Sequence, residues 1–218
     1  METLTGQKEI SSYIIHSQED ELKRIALDLH EGVGQNLYSV FNGLQFIESA
    51  VPDPAMKAYV AEMSRLMERT IQEIRLLSVE LHPPTLSTLG FVPAIKSYIK
   101  LYTSTFGIIV DVEVEGEEQA ISEKGRIAVF RVCQEALANI AKYADTCHVS
   151  MGVSWSQDSL IVTIKDFGKG FDVEDNPHGY QSSGLAAMKE RMLLAGGNCH
   201  ISSTIGEGTL IELTLPLD

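Results

Sequence analysis

From Leu22 to Ile47 the apolar residues Leu22, Ile25, Leu29, Val33, Val40, Leu44 and Ile47 fall three, four or seven positions apart. That is the seam of a helix packing lengthwise on other helices. Val51-Pro52-Asp53-Pro54 cuts it off, because neither proline fits a helix interior. A second stripe of Val60, Met63, Met67, Ile74 and Leu77 or Leu81 follows, so a helix is expected from about Ala55 to Leu81. The first helix is expected to end near residue 49, behind an irregular terminus of about seven residues. A short loop makes the two helices antiparallel. One hairpin buries only part of its stripe, whereas two hairpins from two chains close a four-helix core. A homodimer is therefore expected. Pro83-Pro84 stops the second helix, dividing the chain into 1–84 and 85–218.

The 218 residues leave room for two modest domains, and a net charge of −13 gives no basic face for a phosphate backbone. Nucleic acid is thereby excluded as a partner. Cys133, Cys147 and Cys199 are an odd number without metal-ligand spacing, which suits reduced thiols in small core positions of a cytoplasmic protein. No run reaches the ~20 apolar residues that cross a bilayer, and no signal pattern opens the chain, so no membrane contact is expected.

Beyond Gly90 the pattern changes. Helices are expected near 91–105, 122–144 and 184–195, and strands near 108–114, 147–155, 159–165, 198–204 and 208–215. Helices and strands mixed in this order imply one layer of helices on one mixed sheet. The fold class is thus α+β: an N-terminal helical hairpin forming a dimeric four-helix bundle, then a C-terminal α/β sandwich.

Within the first helix lies Leu29-His30-Glu31-Gly32-Val33-Gly34-Gln35. At helical spacing His30 has Ala26 and Gly34 one turn away on either side, so a large reactant can reach the imidazole. A neutral imidazole is nucleophilic, and the adjacent Glu31 can hold its other ring proton. Gly32 and Gly34 each cost about 1 kcal/mol inside a helix, which implies a close approach there. His82, followed by proline and with no carboxylate beside it, is the lesser rival.

The C-terminal half holds a second constellation. Glu135 and Asn139, one helical turn apart, supply a carboxylate and an amide oxygen, ligand types suited to hydrated Mg²⁺. Phe130, Cys133, Leu137, Ile140 and Ala144 form the core face of that helix. A strand then delivers Asp166-Phe167-Gly168-Lys169-Gly170, where a carboxylate can accept from an exocyclic amine and glycines let backbone approach a flat ring. The polar stretch Asp172–Ser183 reads as a loop over a ligand. A helix opening at Ser183-Gly184-Leu185 would present free amides to phosphates, and Gly196-Gly197 would cap its end. Gly206-Glu207-Gly208-Thr209 turns the last hairpin. Asp-Phe-Gly lacks the glycine-rich loop, strand lysine and His-Arg-Asp elements of Ser/Thr protein kinases, so that reading fails.

Leu29 to Gln35 resembles the phosphoacceptor box of sensor histidine kinases, in the subfamily with a short dimerisation domain that pairs with helix-turn-helix response regulators. Leu81-His82-Pro83-Pro84-Thr85-Leu86 resembles the hinge of the same family, and the C-terminal motifs resemble the ATP-binding domain it shares with gyrase, a heat-shock chaperone and mismatch-repair ATPases. The resemblance implies that His30 takes the γ-phosphoryl group, Glu31 is its acid/base partner and Gln35 positions water for dephosphorylating the regulator. It implies Glu135 and Asn139 as the metal-binding box, with Asn139 on Mg²⁺ and Lys142 near the phosphates. Asp166 would hold the adenine amine, Gly168 and Gly170 line base and ribose, Gly184 and Leu185 close the lid, and Thr209 sit under the adenine. Most members have Asp at the place of Glu31, many have a lid glycine at the place of Ser182, and a histidine is common where Tyr143 stands.

The expected function is ATP-dependent autophosphorylation of His30 and transfer to an aspartate of a response regulator, with regulator phosphatase activity beside it. The C-terminal domain is expected to swing about residues 82–90. Relatives often carry a membrane sensor upstream, so the chain also reads as the cytoplasmic part of a longer protein. The alternatives are a serine kinase or ATPase without phosphohistidine, and a catalytically silent dimer that binds a regulator.

Overall fold

In a computed structural model, which describes residues 2–172 and 180–217, the chain divides into two compact units, Met1–Pro84 and Thr85–Asp218. In the first unit, helix α1 (Glu2–Leu27), a π-helical stretch (Asp28–Val33) and α2 (Gly34–Ala50) follow one another, and α3 (Pro54–Leu81) packs back against them. The irregular terminus expected before the first helix is absent. Helix begins at Glu2, since no proline interrupts the first residues.

The long helix is also less uniform than its seam suggested. The Gly34 amide donates to the Leu29 carbonyl five residues back, the bond of a widened turn. A Cβ on Gly34 would stand 3.3 Å from that carbonyl oxygen, whereas one on Gly32 would meet nothing within 4 Å. The close approach expected at both glycines is thus found, within one chain, only at Gly34.

Asp53 opens α3. Its carboxylate accepts from the Met56 amide at 2.8 Å, and Pro54 occupies the first turn, where a missing N–H costs nothing. The buried face of α3 differs from the expected stripe. Val60, Ser64, Ile71 and Ser78 are buried, while Met63, Met67 and Ile74 are half-buried and Leu77 is exposed. Serines let the helices approach closely, and the buried Ser78 hydroxyl donates to the Ala26 carbonyl at 2.9 Å. Larger apolar groups then point away from the hairpin, with Tyr38, Val40, Phe46, Ile47, Met56, Tyr59 and Leu66 all exposed.

The second unit starts in the short helix α4 (Pro84–Thr88) and continues as α5 (Phe91–Phe106), β1 (Ile109–Glu115), α6 (Glu123–Asn139) and a π-helical stretch (Ile140–Ala144). Strands β2 (His148–Trp155) and β3 (Ser159–Asp166), helix α7 (Tyr180–Leu194), and strands β4 (Asn198–Thr204) and β5 (Gly208–Pro216) complete it. The sheet order is β1-β2-β3-β5-β4, with β1 parallel to β2 and every other pair antiparallel.

Alternation fixes the face. Val149, Met151, Val153 and Trp155 of β2, Leu160, Val162 and Ile164 of β3, and Ile211, Leu213 and Leu215 of β5 are all buried. The expected α6 face of Phe130, Cys133, Leu137, Ile140 and Ala144 is buried too. Burial pushes the Cys133 and Cys199 thiols up, the latter to about 11, so both are inert core groups. Cys147, expected in a core position, is exposed because it precedes the first inward residue of β2. At the C-terminal end of α7, Gly196 takes a φ of 84° and Gly197 N–H returns to the Met192 carbonyl at 2.9 Å, the cap expected there.

Replacing Asp53 by alanine removes the α3 cap and should lower stability by about 1 kcal/mol in denaturant unfolding followed by circular dichroism. Asp53→Asn, which keeps an acceptor oxygen, should retain most of that stability.

Candidate active site

β3 ends at Asp166, whose side chain is only 2% exposed. The chain then turns sharply. The Gly168 amide donates to Asp166 Oδ1 at 2.9 Å, the Lys169 amide to the Ala144 carbonyl at 2.8 Å, and the Gly206 amide to the Lys169 carbonyl at 2.7 Å. A side chain on Gly168 would collide with the Ala144 carbonyl, and one on Gly170, where φ is 58°, with the Thr204 carbonyl. Both glycines are therefore required by neighbouring protein backbone, and Gly170 also lines the cleft beside it.

That cleft, open to solvent on one side, spans about 510 Å³ with the adjoining solvent space included. Ala136, Asn139, Ile140, Tyr143, Ala144, Asp166, Lys169, Gly170, Phe171, Leu185, Thr209 and Ile211 line it. A mostly apolar wall with a few convergent polar groups suits a flat, partly polar ligand.

Helix α6 supplies one side. The Ser122 hydroxyl caps it by accepting from the Gly125 amide at 3.1 Å, and its core face turns Glu135 and Asn139 outward. Asn139 Nδ2 donates to Glu135 Oε1 at 3.4 Å, which leaves the amide oxygen of Asn139 for a hard cation. Among the described residues no group of three or more His, Cys, Asp or Glu side chains could hold a metal. A magnesium ion here would depend on phosphate and water oxygens as well. Asn139 is the last regular α-helical residue, and the wider turn that follows ends at Asp145 with φ 56°. This turn carries Lys142 to an exposed position outside the cleft lining, while Lys169 lies within it.

Of the expected cover, residues 173–179 lie outside the described residues, as do the side chains of 180–183, Ser182 among them. Helix α7 begins at Tyr180, so Gly184 and Leu185 sit in its second turn and the free amide end lies earlier than expected. Leu185 lines the cleft, and a Cβ on Gly184 would collide with Glu135 Oε1.

In the first unit His30, Glu31 and Gln35 are all exposed, His30 and Glu31 within the π-helical stretch and Gln35 just after it. Widened turns recur at functional positions, and both the His30 segment and the end of α6 have one. His82, the rival histidine, is buried at the C-cap of α3.

Sequence reasoning missed Lys169 in the cleft lining and two residues outside it, Ser203 and Tyr102. Lys169 stands between two glycines already singled out, and Ser203 joins the turn to the last hairpin. Tyr102 of α5, 2% exposed, donates to the Leu137 carbonyl at 3.0 Å. Burial, and then the Asp166 carboxylate, push its phenol up to about 12. Nothing in its spacing distinguishes it from a core aromatic.

A helix layer thus lies on a mixed sheet, with a buried carboxylate at a strand end beside a glycine-built cleft. Residues 125–218 match the family described as histidine kinase-, DNA gyrase B- and HSP90-like ATPase, and residues 21–86 match a family described as histidine kinase. The chain belongs to the histidine kinase family. It is 33% identical over 211 residues to the oxygen sensor histidine kinase NreB of Staphylococcus carnosus, covering 97% of this chain and 60% of that protein. It is 31% identical over 207 residues to the signal transduction histidine-protein kinase/phosphatase DegS of Brevibacillus brevis, covering 94% of this chain and 53% of that protein. The chain thus spans little more than half the length of these relatives. The blue-light activated histidine kinase of Erythrobacter litoralis EL346 shares the fold, with a TM-score of 0.50 and 14% identity over 83% of this chain and 60% of that one. No described helix is long and apolar enough to cross a membrane.

Tyr102 has a folded-state value above its ordinary 10.0, so its neutral form stabilises the fold. That contribution is complete below about pH 10 and is lost as the pH rises through about 12. In an alkaline absorbance titration Tyr102 should ionise late, and Tyr102→Phe should remove a late step from the curve. A late step of the same size in Tyr102→Phe would contradict it.

Proposed function

We propose that the second unit binds ATP with Mg²⁺ and that the chain transfers the γ-phosphoryl group to His30. The observation that carries this reading is the presence in one chain of an exposed His30–Glu31 pair and a cleft built on Asp166 and Asn139. A ring nitrogen of His30 attacks the γ-phosphorus, an N–P bond forms, and the bond to the bridging oxygen breaks to leave ADP. Glu31 receives or holds the imidazole proton. The phosphoryl group then passes to an aspartate of a response regulator with a helix-turn-helix output domain, and Gln35 orients water when the regulator is dephosphorylated.

Residues of the cleft and its surroundings share the holding of the nucleotide. Asp166 uses its second carboxylate oxygen for the adenine amine, since Oδ1 already accepts from Gly168. Gly168 and Gly170 shape the turn against base and ribose, and Thr209 lies beneath the adenine. Glu135 holds the Asn139 amide so that its oxygen faces the metal, and both serve as the metal box. Bound Mg²⁺ would neutralise charge on the transferring phosphoryl group. Lys169 lines the cleft toward the phosphates, with exposed Lys142 farther out, and Gly184 and Leu185 close over the nucleotide. Catalysis on this reading is positioning plus electrostatics.

The exposed apolar groups of the hairpin support a homodimer. Phe46 at 75%, Tyr59 at 58% and Leu66 at 56% exposure are an unfavourable surface for a lone hairpin. The placement of the whole protein is cytoplasmic on the same reading, with a sensor segment in a longer parent.

Incubation with labelled ATP and Mg²⁺ should give an acid-labile, alkali-stable phosphoprotein. His30→Gln should abolish the label, and Asn139→Ala should reduce it by at least about a hundredfold, the scale of a lost transition-state contact. Acid-stable label in His30→Gln would favour the serine kinase reading instead. In light scattering the chain should have twice the mass of 24.0 kDa, and Phe46→Glu should shift it toward monomer.

A further inference from the structure

The Ser203 hydroxyl joins three elements around the cleft. It accepts from the Phe171 amide at 3.0 Å, donates to the Gly208 carbonyl at 2.9 Å, and lies 3.0 Å from Thr209 Oγ1. A hydroxyl has one proton and two lone pairs. The amide can only donate, so it occupies one lone pair. The carbonyl can only accept, so it takes the proton. The remaining lone pair faces Thr209, whose own proton must complete that contact.

Thr209 therefore presents only lone pairs to the cleft. The neighbouring polar group has the same sense: a Cβ on Gly208 would lie 3.0 Å from Asp166 Oδ1, so Thr209 follows directly on the residue packed against that carboxylate. With Asp166 Oδ1 held by the Gly168 amide, this end of the cleft offers acceptors. We propose that Ser203 is a specificity-determining positioning residue. By claiming the Thr209 proton it makes the site select a purine with an amino group at position 6 over one with an oxygen there. This rests on the reading of the cleft as a nucleotide site and goes beyond it by assigning base discrimination to a side chain outside the lining.

The physical reason is the cost of matching lone pair to lone pair beside a carboxyl group that is only 2% exposed. An amino group meets partners, whereas an oxygen at the same place leaves both sides unpaired. Without Ser203 the Thr209 hydroxyl can rotate and donate to that oxygen.

ATP and ITP are suitable probes because their bases differ in the group at position 6 and the ring proton that accompanies it. Isothermal titration on the full chain should give a higher Kd for ITP than for ATP, and Ser203→Ala should lower the ratio Kd(ITP)/Kd(ATP) by about tenfold. Ser203→Thr keeps the hydroxyl and should restore the ratio. Thr209→Val should lower the ratio to a similar extent, and the double variant should lower it no further, because the two hydroxyls act as one unit. A purely structural role would weaken both nucleotides by one factor together with the melting temperature, and an unchanged ratio in Ser203→Ala would overturn the proposal. Binding of neither nucleotide by the unaltered chain would overturn the nucleotide reading itself, and this proposal with it.

Discussion

A carboxylate held at 2% exposure is the constraint from which the second unit is built. Burying Asp166 at the end of β3 is costly unless donors reach it, and the Gly168 amide is the donor the chain supplies. The turn that brings that amide round must pass close to the Ala144 and Thr204 carbonyls, which removes the side chains at 168 and 170. Gly208 is required by the same group, since φ is 91° there and a Cβ would crowd the Asp166 carbonyl and carboxylate. One buried carboxyl group and the turn that reaches it therefore require three glycines. It also ties the end of α6, the turn after β3 and the β4-β5 hairpin into one wall of a cleft.

The first unit depends on a different economy. Its helices approach through Ala26, Ser64 and Ser78, small groups that let backbone come near backbone, and its bulky apolar side chains are turned outward. A hairpin made this way is closed on one side and open on the other. The π-helical stretch from Asp28 to Val33 lies beside the Ser78 to Ala26 hydrogen bond and carries His30 in an exposed position. His30 and the outward apolar side chains are thus both exposed on these helices.

The boundaries of most elements could be read from the chain because prolines, glycines and period-two or helical apolar patterns are local signals. The β strands and α3 lie within a residue or two of where alternation and Pro52, Pro54 and Pro83 put them. Of the cleft, Asn139, Asp166, Gly170, Leu185 and Thr209 were legible as motif residues and do line one cavity. Lys142 lies in the widened turn after Asn139 and is exposed outside the cleft lining, a local geometry that a regular helical pattern does not record. The start of α7 was misplaced because Ser183-Gly184 has the form of a helix cap while helix continues back to Tyr180.

What the sequence determined alone is the order of elements, the division at residue 84, and the residue types that nucleotide and phosphoryl chemistry need, since these follow from spacing along the chain. What only the tertiary structure decided is which neighbours those residues acquire. Ser203 and Tyr102 are distant in sequence from Phe171 and Leu137, and only folding makes a hydroxyl at one place a partner at the other. The polarity of a cleft depends on where each proton points, and that is settled by contacts no linear pattern records.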